Sequence, residues 1–100
     1  MKSNLFQKIN FKDSKETATY FKSIKADIVP RRGEELVEIT SENIQNLIVE
    51  KVIYNLDKNE IDFANVFLRD IALENSDDKE ELKKFLEDRG WTLSEEDDDL

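Results

Sequence analysis

The chain contains no cysteine and no histidine. The first absence excludes disulfides and thiolate chemistry, and the two together remove the ligands of the common structural zinc sites. They also remove the usual general base and the most reactive nucleophile. The many carboxylates therefore lack the partners that would mark one of them as catalytic. No apolar run approaches the roughly 18 residues that cross a bilayer, and Lys2 is not followed by the apolar stretch of a signal peptide. These absences lead to the expectation of a soluble, cytoplasmic, non-catalytic protein without cofactor or metal. With one proline and two glycines, marked breaks are few: a turn at Pro30–Gly33 and a helix end at Gly90.

What is present is a chain of 100 residues, 38% hydrophobic and 9% aromatic. That is enough for one domain with a modest core, and it places the chain on the folded side despite 39% charged residues. The net charge of -9 is unevenly placed. Residues 1–32 carry eight basic and three acidic side chains, and residues 1–73 are close to neutral. Residues 74–100 carry 12 acidic and four basic side chains. The protein is electrically lopsided, with its negative charge in the last quarter.

The pattern along the chain reads as an α+β domain over residues 1–94. Its sheet is small, mostly antiparallel and curled, or an open SH3-like barrel of four to five strands, with a C-terminal helix packed on it. Ile9 and Phe11 alternate with polar residues and suit a short edge strand. Asp13 and Glu16 have capping-box spacing, which allows a short helical turn. From Ala18 to Val29 a strand explains more apolar residues than a helix does, with Tyr20, Ile24, Ala26 and Ile28 on one face and Lys22 as its odd member. Glu34–Ile39 reads as a further short strand.

The hairpin 47–73 turns at Asp57-Lys58-Asn59. Its first arm has Ile48, Val52, Tyr54 and Leu56 on one side and Leu47, Val49 and Ile53 on the other, which predicts cover on both faces. In the second arm Ile61 and Phe63 fall out of phase with Val66 and Leu68. This predicts a β-bulge near Ala64-Asn65. A helix follows over 77–89, capped by Ser76 or Asp77, with Leu82, Phe85 and Leu86 as its apolar stripe. It is the obvious cover for the hairpin. Gly90 should end it in left-handed geometry, with Trp91 closing back onto Leu86. Residues 95–100, with five adjacent carboxylates, read as a disordered acidic tail.

No motif rises above these features, and the candidate contact residues follow from chemistry alone. Arg31 and Arg32, on the PRRG turn, have the geometry to grip an anion, but Glu34 and Glu35 beside them are ready local partners. Without interleaved aromatic and basic residues, direct nucleic-acid binding is not expected. Tyr54 and Trp91 combine apolar area with a polar handle, while Phe21 and Phe67 are apolar outliers on the polar faces of their strands. Glu80, Glu81, Glu87 and Asp88, joined by Glu74, Asp77 and Asp78, would give the helix an acidic face. Glu95, Glu96, Asp97, Asp98 and Asp99 would extend it. Asp57, Asn59, Glu60 and Asp62 lack the spacing of a calcium loop and are accounted for as a turn.

The expected function is a protein-interaction module of accessory or regulatory character, bound to another protein that could carry a basic surface. Small size fits an accessory product of a phage or mobile element. One alternative is an acidic inhibitor that mimics nucleic acid against a basic binding protein. Another is a homo-oligomeric structural subunit that joins basic N-terminal to acidic C-terminal surfaces.

Overall fold

A computed structural model describes residues 2–25, 27–39, 44–74 and 79–98. Along the chain run β1 (Lys2–Phe11), β2 (Glu16–Lys25), β3 (Glu35–Ile39), β4 (Ile44–Asp57), β5 (Glu60–Leu68), β6 (Ile71–Leu73), α1 (Lys79–Asp88) and β7 (Thr92–Asp98). The α+β class is as expected, with seven strands among the described residues in place of four or five. The strand order is β3-β4-β5-β1-β2-β7, with β6 beside β1, so β3 and β7 lie at the two ends. β4 runs antiparallel to β3 and β5, as β7 does to β2, and β6 is parallel to β1. By packing, the chain divides into two compact units, one of residues 1–5 and 23–69 and the other of 6–22 and 70–100.

The first unit is built on the β4–β5 hairpin. Val49 lies opposite Leu68, but Lys51 lies opposite Phe67, so Glu50 is an extra residue in β4. One extra residue reverses the alternation of a strand. Leu47 and Val49 before the bulge therefore share a face with Val52, Tyr54 and Leu56 after it. Most of the apolar residues expected on two sides of this arm thus fall on one, with Ile48 and Ile53 left on the other. A second bulge lies at Asp62, since Leu56 pairs with Ile61 and Asn55 with Phe63. It stands a little nearer the turn than the expected site at Ala64-Asn65, where pairing is regular. In consequence Ile61 joins Ala64, Val66 and Leu68, while Phe63 turns to the opposite face with Asn65 and Phe67.

Two turns shape this unit. The hairpin loop is Lys58-Asn59, with Lys58 at φ 58°. At Arg31–Glu34 the Glu34 amide donates to the Arg31 carbonyl at 3.0 Å, and Gly33 takes φ 87°, as a type II turn requires at its third residue. The Arg31 amide donates to Glu34 Oε1 at 2.6 Å, so this carboxylate closes the turn from outside.

In the second unit β1 and β2 are joined by a four-residue loop in which the Lys15 amide donates to the Phe11 carbonyl and Lys15 takes φ 58°. The Asp13–Glu16 spacing thus yields one turn, and the strand begins directly after it. β1 is a full ten-residue strand flanked by others, correcting the short edge strand expected from Ile9 and Phe11. Leu5, Gln7, Ile9 and Phe11 alternate inward, and Gln7 had hidden the pattern. The segment Ile71–Leu73 leaves the hairpin arm to pair with Ile9–Phe11. β2 ends at Lys25, so Ile28 is exposed and not on an inner face, while Ala26 lies outside the described residues.

The helix α1 runs over Lys79–Asp88 and packs on β7; Ser76, Asp77 and Asp78 lie outside the described residues. Its end is the expected Schellman motif. Gly90 at φ 88° donates to the Glu87 carbonyl, and the Trp91 amide reaches the Leu86 carbonyl at 3.0 Å. Leu86 and Trp91 are both buried. Lys22, the odd member of its face, sets its Nζ 5.7 Å from the centre of the Trp91 ring, a position that lets a cation sit on an otherwise apolar side.

Within the stretch expected as an acidic tail over 95–100, the backbone of Glu95–Asp98 pairs with Thr19–Glu16. Ser94 is an extra residue here, and its hydroxyl donates to the Thr19 carbonyl at 3.1 Å.

Candidate functional site

The inner face of the hairpin changes character along its length. Near β3 it is closed: Val49, Ala64, Val66 and Leu68 are buried, with Ala64 and Val66 at 0% exposure. Toward the turn the same face continues into solvent, where Tyr54 is 45%, Leu56 71% and Ile61 43% exposed. Leu56 and Ile61 are cross-strand partners, and Tyr54 is two residues along the same face, so the three form one patch. The opposite side of the tip carries the directly opposed pair Asp57 and Glu60. Both carboxylates are exposed, as are Lys58 and the bulge residue Asp62. Ile53, also on this side, is 41% exposed.

The other sequence-derived candidates are scattered. Arg31 and Arg32 are exposed, and Arg31 Nε lies 3.6 Å from Glu34 Oε1, the local pairing that the neighbouring glutamates implied. Phe21 is half-buried against Phe6, with ring centres 6.3 Å apart. Phe67 is half-buried under Lys51, whose Nζ is 5.4 Å from the ring centre. Trp91, at 3% exposure, closes the core of its unit and presents no surface to a partner. Glu80, Glu81, Glu87 and Asp88 are exposed on α1, but Glu80, Glu81 and Glu87 share a shallow groove with Lys83 and Lys84, so the acidic face is interrupted by cations. Glu95, Glu96, Asp97 and Asp98 belong by backbone to β7, and Asp99 lies outside the described residues.

Among the described residues no three acidic side chains converge on a position for a metal ion. No described helix is long and apolar enough to cross a membrane. No family model, curated protein or solved structure matches the chain.

Of the sequence-derived candidates, Tyr54 alone belongs to the hairpin patch. Leu56 and Ile61 were overlooked because alternation assigned them to a strand and so to a core. The signal was their position: residues flanking a two-residue turn have few neighbours to bury them, so an apolar pair there remains in water.

Proposed function

We propose that the chain is a non-catalytic protein-interaction module, an accessory or regulatory protein that engages another protein through the tip of the β4–β5 hairpin. The observation that supports this reading is the continuation of a core-forming face past the core, into Tyr54, Leu56 and Ile61. Burying one such side chain fully contributes about 1.5–3 kcal/mol. Three together make the apolar centre of a small interface, with tyrosine among the residues enriched at such centres. The finer reading of the sheet as an open SH3-like barrel belongs to the same proposal. Bulges at Glu50, Asp62 and Ser94 support it, because each extra residue bends and twists its strand.

The test is a comparison of two immobilised chains, wild type and Leu56→Ser, presented to a native lysate of the source cell. Leu56 is largely in water already, so the variant keeps its fold. The expected result is a protein held in stoichiometric amount by the wild type and lost by the variant. Identical retained sets would remove the tip as the contact surface.

A further inference from the structure

We infer that the partner surface is a cleft with one apolar wall and one cationic wall, into which the hairpin tip inserts. This rests on the reading of the tip as a contact surface and goes on to specify the chemistry of what it meets.

The two sides of the tip have different chemistry. One presents Tyr54, Leu56 and Ile61. The other presents Asp57 and Glu60 as directly opposed residues at the last pair before the turn. Like charges directly opposite across an antiparallel pair are destabilising, and opposite charges there would be favourable. The chain thus carries at this position an arrangement that works against its own hairpin. Among the described residues neither carboxylate has an ion-pair partner. Asp62, exposed at the bulge, adds a third negative charge, and Lys58 in the turn is the one cation of the loop. A lysine or arginine from outside, lying against Asp57 and Glu60, would convert the repulsion into attraction at the moment of contact.

The same charges argue against a second copy of this chain as the occupant. Two tips brought together apolar side to apolar side by a two-fold axis would leave Asp57 and Glu60 of both copies on the outer faces with no cation from the partner against them. Only one lysine on each side would offset them.

Two synthetic amphipathic helical peptides, one of leucine and lysine and one of leucine and glutamate, serve as probes for the full-length protein. Amide shifts of residues 53–63 are followed by NMR, so that attraction of the basic peptide to the acidic C-terminal residues is read separately. The leucine–lysine peptide is expected to move Tyr54, Leu56 and Ile61, and to bind the tip at least about tenfold more tightly than the leucine–glutamate peptide. Leu56→Ser should weaken it by about tenfold or more, since most of a leucine side chain is no longer buried on binding. Glu60→Lys should weaken it several-fold while raising the urea midpoint of the free protein. That combination separates a binding role from a structural one.

If both peptides engage the tip equally, the contact surface stands and the cationic wall is overturned. If neither moves residues 53–63, the contact surface falls as well. A sedimentation mass that rises with concentration toward the dimer, and returns to the monomer in Leu56→Ser, overturns the inference in favour of a second copy.

Discussion

Lys15 and Lys58 hold the left-handed conformation at two hairpin loops, each at φ 58°. For a residue with a β-carbon this costs roughly 1–2 kcal/mol, whereas glycine adopts it freely at an entropic cost of about 0.4–1 kcal/mol in the unfolded chain. Lys58→Gly and Lys15→Gly should therefore each raise stability by about 0.5–1 kcal/mol, measured by urea unfolding. A loss in either would show that the turn is held by something else. Gly90 is the converse case. A β-carbon there would meet only Lys22 Cε at 3.7 Å, an ordinary contact, so the cost of Gly90→Ala is conformational. It should be about 1 kcal/mol, and no loss of stability would contradict the positive φ. The turns at Arg31–Glu34 and Lys58-Asn59 and the helix cap were legible from sequence, because glycine and short polar loops report the local backbone directly, whereas the loop before Glu16 read as the start of a helical turn. The left-handed lysines were not legible, since lysine carries no mark of that conformation.

The elements were legible where alternation or helical spacing ran unbroken, and misread wherever an extra residue interrupted it. α1 is the unbroken case: Leu82, Phe85 and Leu86 with the Gly90 end located it, and Lys79–Asp88 falls within the expected 77–89. β4 is the broken case, because strict alternation that counts Glu50 puts its apolar side chains on both faces. Deleting Glu50 removes the extra residue and leaves Val49 and Val52 two positions apart in a regular strand, so Leu47 and Val49 stay in phase with Val52 and the chain should still fold cooperatively. Glu50→Ala, which removes an exposed pair with Arg69 at 3.5 Å, should change stability by less than about 1 kcal/mol. Circular dichroism and urea unfolding check both variants, and a deletion that abolishes cooperative folding would contradict the bulge. β1 was underestimated because Gln7, in phase with Leu5 and Ile9, is polar and buried. β7 was missed because five carboxylates in sequence outweighed any strand pattern.

Over the whole molecule, the charge asymmetry read from sequence has a structural counterpart: Glu95–Asp98 are held by backbone pairing to β2 despite their mutual repulsion. Truncation after Ser94 should then cost stability, by about 1–2 kcal/mol if the lost ladder bonds are partly offset by relief of repulsion. Added salt should stabilise the full chain more than the truncated one, since it screens that repulsion. A freely disordered end would give neither effect. The candidate contact surface was barely legible at this scale, because exposure depends on where the core stops and not on composition. Tyr54 was singled out for its chemistry, yet Leu56 and Ile61 gained meaning only when the bulges placed all three on the face that buries Val66.

The proposed contact role of Leu56 requires that this face continue past what folding needs. It is tested most directly by comparing the unfolding free energies of Leu56→Ser and Val66→Ala. Val66, fully buried, should cost about 2 kcal/mol when truncated, and Leu56, 71% exposed, less than about 1 kcal/mol. Equal losses of about 2 kcal/mol or more would put Leu56 in the protein's own core and contradict the account.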